Sequence, residues 1–137
     1  MAIAALIAWL VTAVLGFTML GIWIARGALR PAAGDTGAAP TRLAPPLVFS
    51  HFLLAAGGLV VWIVYLVAGA KILVWVAFGL LVLIAVLGDV MFLRWWRSRR
   101  DATPEARLPT PVVYMHGVSA VTTVVLVLLT GLGVGAS

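Results

Sequence analysis

His51 and His116 are the only two histidines in a chain of 137 residues that contains no cysteine. Each closes the same pattern, R-L-x-x-P-φ-V-aromatic-x-H, which runs over residues 42–51 and again over 107–116. The proline suits the first turn of a helix, where its missing N–H is not needed. Each histidine follows its proline by five residues, about 7.5 Å along a helix, so the two imidazoles are expected at one depth. Two imidazoles facing each other across a helical bundle form an axial ligand pair for a haem iron, whose chemistry is set by its axial ligands and their surroundings. The expected cofactor is haem b, with Cu(I) or no cofactor as the alternatives; no CxxCH attachment motif is present to strengthen the haem reading. Small residues follow each histidine, Ala55 and Gly58 in one case and Ser119, Ala120 and Thr123 in the other, leaving room for a flat ring. Arg42 and Arg107, each nine residues before its histidine, are candidate partners for haem propionates. The plainer reading is that both histidines only hydrogen-bond neighbouring helices or headgroups, with the arginines placed by topology.

Other groups extend the candidate chemistry. Met19 and Met91 occupy matching positions in A-V-L-G-x-x-M-x-x-x-W, at residues 13–23 and 85–95. Thioethers select Cu(I), so a His51, His116, Met19, Met91 set is the alternative metal site, with Met115 a further thioether; core filling is the commoner use of methionine. Zinc wants three or four protein ligands, more than two histidines supply. Asp89 is the one clear charge inside an apolar run, and its repeat counterpart is Phe17. It is expected either to serve a proton path or a ligating histidine's second nitrogen, or to pair with Arg94 or Arg97 near the interface.

These residues must be positioned by membrane helices. Hydrophobic residues make up 64% of the chain and charged ones 9%, the mean hydropathy is +1.21, and a soluble domain carries about a quarter charged residues. Four apolar runs, near 3–24, 46–68, 72–93 and 112–132, are each long enough to span a bilayer of about 30 Å. Little is left for a soluble catalytic head or a phosphate-binding loop. The net charge of +5 does not indicate nucleic acid, because the arginines sit at span edges. Arg26, Arg30 and Arg42 lie between spans one and two, Arg94, Arg97, Arg99, Arg100 and Arg107 between spans three and four, and Lys71 on the other side. The positive-inside rule then places both long loops in the bacterial cytoplasm and both termini outside. The first span lacks a positive n-region and reads as retained. Tryptophans and tyrosines near span ends read as interfacial anchors.

The two matches share constant offsets, 72 residues for spans one and three and 65 for spans two and four. The expected fold is therefore all-α, an integral membrane four-helix bundle built from a duplicated helical hairpin with a pseudo-two-fold axis along the membrane normal. It forms one membrane domain, 1–137, with repeat one at about 1–69 and repeat two at about 72–137. Residues 27–45, rich in Ala, Gly and Pro, read as a mobile linker.

The segments RLPTPVVYMHGVSAVTTVVLVLLTGLG and HFLLAAGGLVVWIVYL resemble a group of uncharacterised small bacterial four-span integral membrane proteins. That resemblance implies the topology and brings no activity. In layout, the paired histidines are similar to those of four-helix b-type cytochromes in general. The leading expectation is a membrane b-type haem protein that transfers electrons, with one haem between spans two and four, exchanging with a quinone or a larger respiratory complex. The alternative is a non-catalytic accessory or assembly subunit of a larger membrane complex, with no cofactor. A small transporter or a copper-binding membrane protein ranks third. Whether the chain is an enzyme is left open by these readings, which lean toward no catalysis by the chain alone.

Overall fold

Proline and glycine set the helix ends. In the computed structural model, which describes residues 1–29 and 41–134, α1 spans Ala2–Ala25, α2 Pro45–Ala68, α3 Ile72–Ser98 and α4 Thr110–Gly131. Prolines occupy the first turns of α2 and α4, as their fixed φ favours. Gly69 ends α2 in the left-handed conformation, φ 68°, with its N–H on the Tyr65 carbonyl. Only Gly69, Ala70 and Lys71 then separate α2 from α3, which makes the two antiparallel neighbours. All four helices are long and apolar enough to cross a membrane, at about 33–40 Å each. The chain is an all-α membrane four-helix bundle.

The closest helix pairs are α1 with α4 and α2 with α3; α3 meets α4 less extensively, and α1 meets α2 least. Each helix of one repeat therefore packs mainly on a helix of the other, rather than on its own hairpin partner. The bundle is two tight layers, α1/α4 and α2/α3, that meet along a looser seam, with α2 and α4 diagonally opposed.

Burial follows the repeat offsets. Toward the termini, the core holds Ala5 with Ala77, Trp9 with Leu81, and Trp62 with Val127, each pair separated by 72 or 65 residues. Toward the arginine-rich end, a second cluster holds Trp23 with Trp95, Leu43 with Leu108, and Val48 with Val113, with Met19 and Met91 packed against it. Most tryptophans are thus core residues and not anchors: Trp9, Trp23, Trp62 and Trp95 are buried, while Trp75 and Trp96 are exposed. Where neighbouring residues leave space, such a ring gains close packing against protein, and the indole N–H groups of Trp23 and Trp62 find acceptors there, Thr41 Oγ1 and the Ala2 carbonyl. Gly58 supplies that space for Trp9, since a Cβ there would lie 2.9 Å from Trp9 Cζ2.

The expected linker is held at both ends. Ala28 and Leu43 are buried. Glu105, fully buried on a short 3-10 turn, accepts hydrogen bonds from Thr41 Oγ1 (2.8 Å) and from the backbone N–H of Arg42 (2.6 Å). Trp23 Nε1 donates to Thr41 Oγ1 at 3.2 Å. The middle of the linker, 30–40, lies outside the described residues.

Candidate functional site

Between the two core clusters lies the histidine layer. His51 and His116 each stand six residues past the first residue of their helix, about 9 Å in, on the diagonally opposed α2 and α4. Their ring centroids are 6.4 Å apart and the rings are tilted by 54°. Each ring is held by the helix beside it in its own layer. His51 Nδ1 lies 3.1 Å from the Ile84 carbonyl oxygen of α3, and His116 Nδ1 lies 3.0 Å from the Thr12 carbonyl oxygen of α1.

A carbonyl oxygen only accepts, so in both rings Nδ1 carries the proton and donates. In the neutral rings this leaves Nε2 with its lone pair, the arrangement a metal-binding imidazole uses when its other nitrogen bonds a backbone carbonyl. Among the described residues neither Nε2 has a hydrogen-bond partner, and no group of three or more His, Cys, Asp or Glu forms that could hold a metal ion. The layer therefore offers two nitrogen donors from opposed helices and no third side chain of those types beside them.

The glycines that matter to these rings are on the neighbouring helices. A Cβ at Gly88 of α3 would come within 3.3 Å of His51 Cε1, and one at Gly16 of α1 within 3.2 Å of His116 Cε1. Gly16 and Gly88 are repeat counterparts, as are Thr12 and Ile84, so both histidine seats are built alike. The matched glycines in A-V-L-G were the available sequence signal; what the sequence lacked was which helix faces which histidine. Gly58 is filled by Trp9 and does not provide the open wall expected of it.

Around the seats the two-fold relation breaks. Beyond His116, the Thr12 and Ser119 hydroxyls share a 2.8 Å hydrogen bond, and Ser119 reaches the Ala8 carbonyl at 3.2 Å. Ser119 thus ties α4 to α1, whereas Thr122, Thr123 and Thr130 bond back to their own helix. The counterparts of Thr12 and Ser119 are Ile84 and Leu54, both apolar. On the α1/α2 side of the seam, Phe17 meets Phe52 edge-on at 5.3 Å. On the α3/α4 side, the counterparts are Asp89 and Gly117. The antiparallel register seen in Phe92 against Tyr114 (6.1 Å) and in Gly131, where an added Cβ would lie 3.3 Å from Trp75, sets these two at one level. Both are exposed, and no atom lies within 4 Å of a Cβ built on Gly117.

The remaining candidates make other contacts. Arg42 is joined to Asp101 at 2.8 Å, and its carbonyl accepts from Arg94 at 3.3 Å, so its guanidinium is already engaged. Arg107 is exposed at the end of the 3-10 turn. Asp89 forms no salt bridge with Arg94 or Arg97 among the described residues. Met19 and Met91 pack on the buried cluster at the arginine-rich end.

The fold and this layer define a four-span helical membrane protein with a paired-imidazole layer. Compared with known proteins, the chain matches no family model, no curated protein and no solved structure.

Proposed function

We propose that the chain is a membrane b-type haem protein, with His51 and His116 as axial ligands to one haem iron, and that it transfers electrons. The observation carrying this reading is the pair of rings 6.4 Å apart, each with Nδ1 held by a backbone carbonyl. A metal bound between two imidazoles, at nitrogen distances of about 2 Å, puts ring centroids roughly 6 Å apart. Two imidazole nitrogens fall short of the three or four protein ligands that zinc takes, whereas a porphyrin brings four nitrogen donors of its own. When bound, haem supplies a one-electron couple tuned by its axial ligands and its burial.

The protein's part is to orient both imidazoles, each through its Nδ1–H on a backbone carbonyl, and to wrap them in apolar core above and below. At the level of the histidines the α3/α4 side of the seam carries exposed Asp89 and Gly117 where the α1/α2 side carries the Phe17–Phe52 pair, and the exchanging quinone or protein partner is assigned to the α3/α4 side. Arg107 is the better placed of the two arginines for a propionate, Arg42 being engaged with Asp101. The arginine-rich end is the cytoplasmic end by the positive-inside rule, which sets the haem toward the inner leaflet of the bacterial cytoplasmic membrane.

The test is purification in mild detergent followed by oxidised and reduced visible spectra, with iron and copper measured on the same sample. A reducible bis-imidazole spectrum with one iron per chain supports the reading. Copper without haem moves the site to His51, His116 and the Met19/Met91 pair, and a colourless, metal-free folded protein overturns both.

One observation favours a second reading, an accessory subunit of a larger membrane complex. Asp89 faces outward from a spanning helix, where a carboxylate is costly unless it is paired. A polar group on a neighbouring membrane protein would meet that need. Co-purifying partners lost on Asp89→Leu would support it.

A further inference from the structure

The arginine-rich end carries a second feature that the histidine layer does not use. The last turn of α3 and the approach to α4 border an open cleft of about 680 Å³, lined by Trp95, Trp96, Arg97, Arg99, Arg100 and Thr110 among others. The Arg99 guanidinium lies 3.7 Å from the Trp96 ring centroid and 5.4 Å from that of Trp95. Such stacking fixes a long side chain that would otherwise sample many rotamers.

The nearby carboxylates are committed elsewhere. Asp101 binds Arg42, and Glu105 is buried against Thr41 and the Arg42 N–H. Among the described residues Arg97, Arg99 and Arg100 have no acidic partner. Trp95, which also lines the cleft, is 2% exposed, and its Nε1–H has no partner. Three guanidiniums without a counter-charge and the Thr110 hydroxyl line the cleft as donors with no acidic partner.

We propose that this cleft binds a phosphate group, and that the phosphate is the headgroup of an anionic phospholipid. Guanidinium is suited to phosphate by its planar fork of donors, and basic pockets between membrane helices hold anionic headgroups. Continuity with the lipid-facing surface favours a lipid over a free ion. The exposed Trp96 is followed toward mid-membrane by exposed Leu93 and Val90 on α3, along which an acyl chain can lie while its headgroup stays in the cleft.

The experiment uses the full chain in mild detergent, with native mass spectrometry counting retained lipid after equal additions of phosphatidylglycerol and phosphatidylcholine. Inorganic phosphate is then added as competitor. The expected result is selective retention of phosphatidylglycerol, weakened about thirtyfold in Arg97→Gln/Arg100→Gln and unchanged in Arg26→Gln, whose arginine lies outside the cleft. Equal thermal midpoints of the variants in phosphatidylcholine confirm intact folding. Displacement by millimolar inorganic phosphate would support the phosphate site and assign it to a soluble ion, overturning the lipid assignment. Equal retention of both lipids, or an equal loss in Arg26→Gln, would overturn the site.

Discussion

Cε1 of His51 lies 3.3 Å from where a Cβ on Gly88 would stand, so the imidazole of α2 rests directly on the backbone of α3. Gly16 and His116 repeat the contact at 3.2 Å. Adding a methyl at either glycine requires the ring to shift by a few tenths of an ångström. Gly16→Ala and Gly88→Ala are each expected to perturb the visible spectrum and weaken haem retention, while Gly79→Ala, which meets nothing within 4 Å, leaves both unchanged. Spectra of the three variants, prepared identically, check this.

Gly58 carries a different load. A Cβ there meets the buried Trp9 ring at 2.9 Å, and overpacking of this kind costs about 1–3 kcal/mol. Gly58→Ala is expected to lower the thermal midpoint in detergent, and Gly57→Ala, with open space at its Cβ, is expected not to. A midpoint in Gly58→Ala equal to wild type would contradict the packing described for the core.

Glu105 joins the connection between α1 and α2 to that between α3 and α4. Its carboxylate receives two hydrogen bonds at full burial, and hydrogen bonds to charged groups contribute about 1.5–3 kcal/mol each. Glu105→Ala should destabilise the protein by roughly 2–4 kcal/mol and alter the fluorescence of Trp23, whose indole N–H bonds Thr41. Denaturant melts with tryptophan emission measure both effects together.

Asp89 should behave oppositely in the isolated chain. It is exposed, and an outward carboxylate in a spanning helix is unfavourable, by less than the roughly 2.5–3.5 kcal/mol of the bilayer centre as it nears the interface. Asp89→Phe, which installs the residue of its repeat counterpart, should hold or raise the unfolding midpoint. A clear fall would mean that Asp89 serves the fold itself rather than an outside partner.

The fold was legible because its signals are large. Four apolar runs, two prolines and one three-residue connection lead directly to α1–α4, and the motif identities at constant offsets anticipate the equal depth of His51 and His116. Helix adjacency was not legible. Nothing in a hairpin's sequence says that α1 leans on α4 more than on α2, because lipid-like side chains fit many neighbours equally well. For that reason Ile84, Thr12, Gly16 and Gly88 went unrecognised as the histidine seats. The tryptophans read as anchors on the same ground, since a ring near a helix end serves as anchor or core depending on whether a neighbour such as Gly58 leaves room. Arg42 reads as a propionate partner until Asp101, 59 positions away in sequence, is brought against it.

The central claim is that His51 and His116 together hold one haem. Titration of haem into the apoprotein, followed by visible absorption in the wild type and in His51→Ala and His116→Ala, addresses it most directly. One equivalent taken up as a low-spin, six-coordinate species by the wild type, with that signature lost in each single variant, is the predicted result. An unchanged bis-imidazole spectrum in either variant, or no saturable uptake by folded wild type, would contradict the assignment.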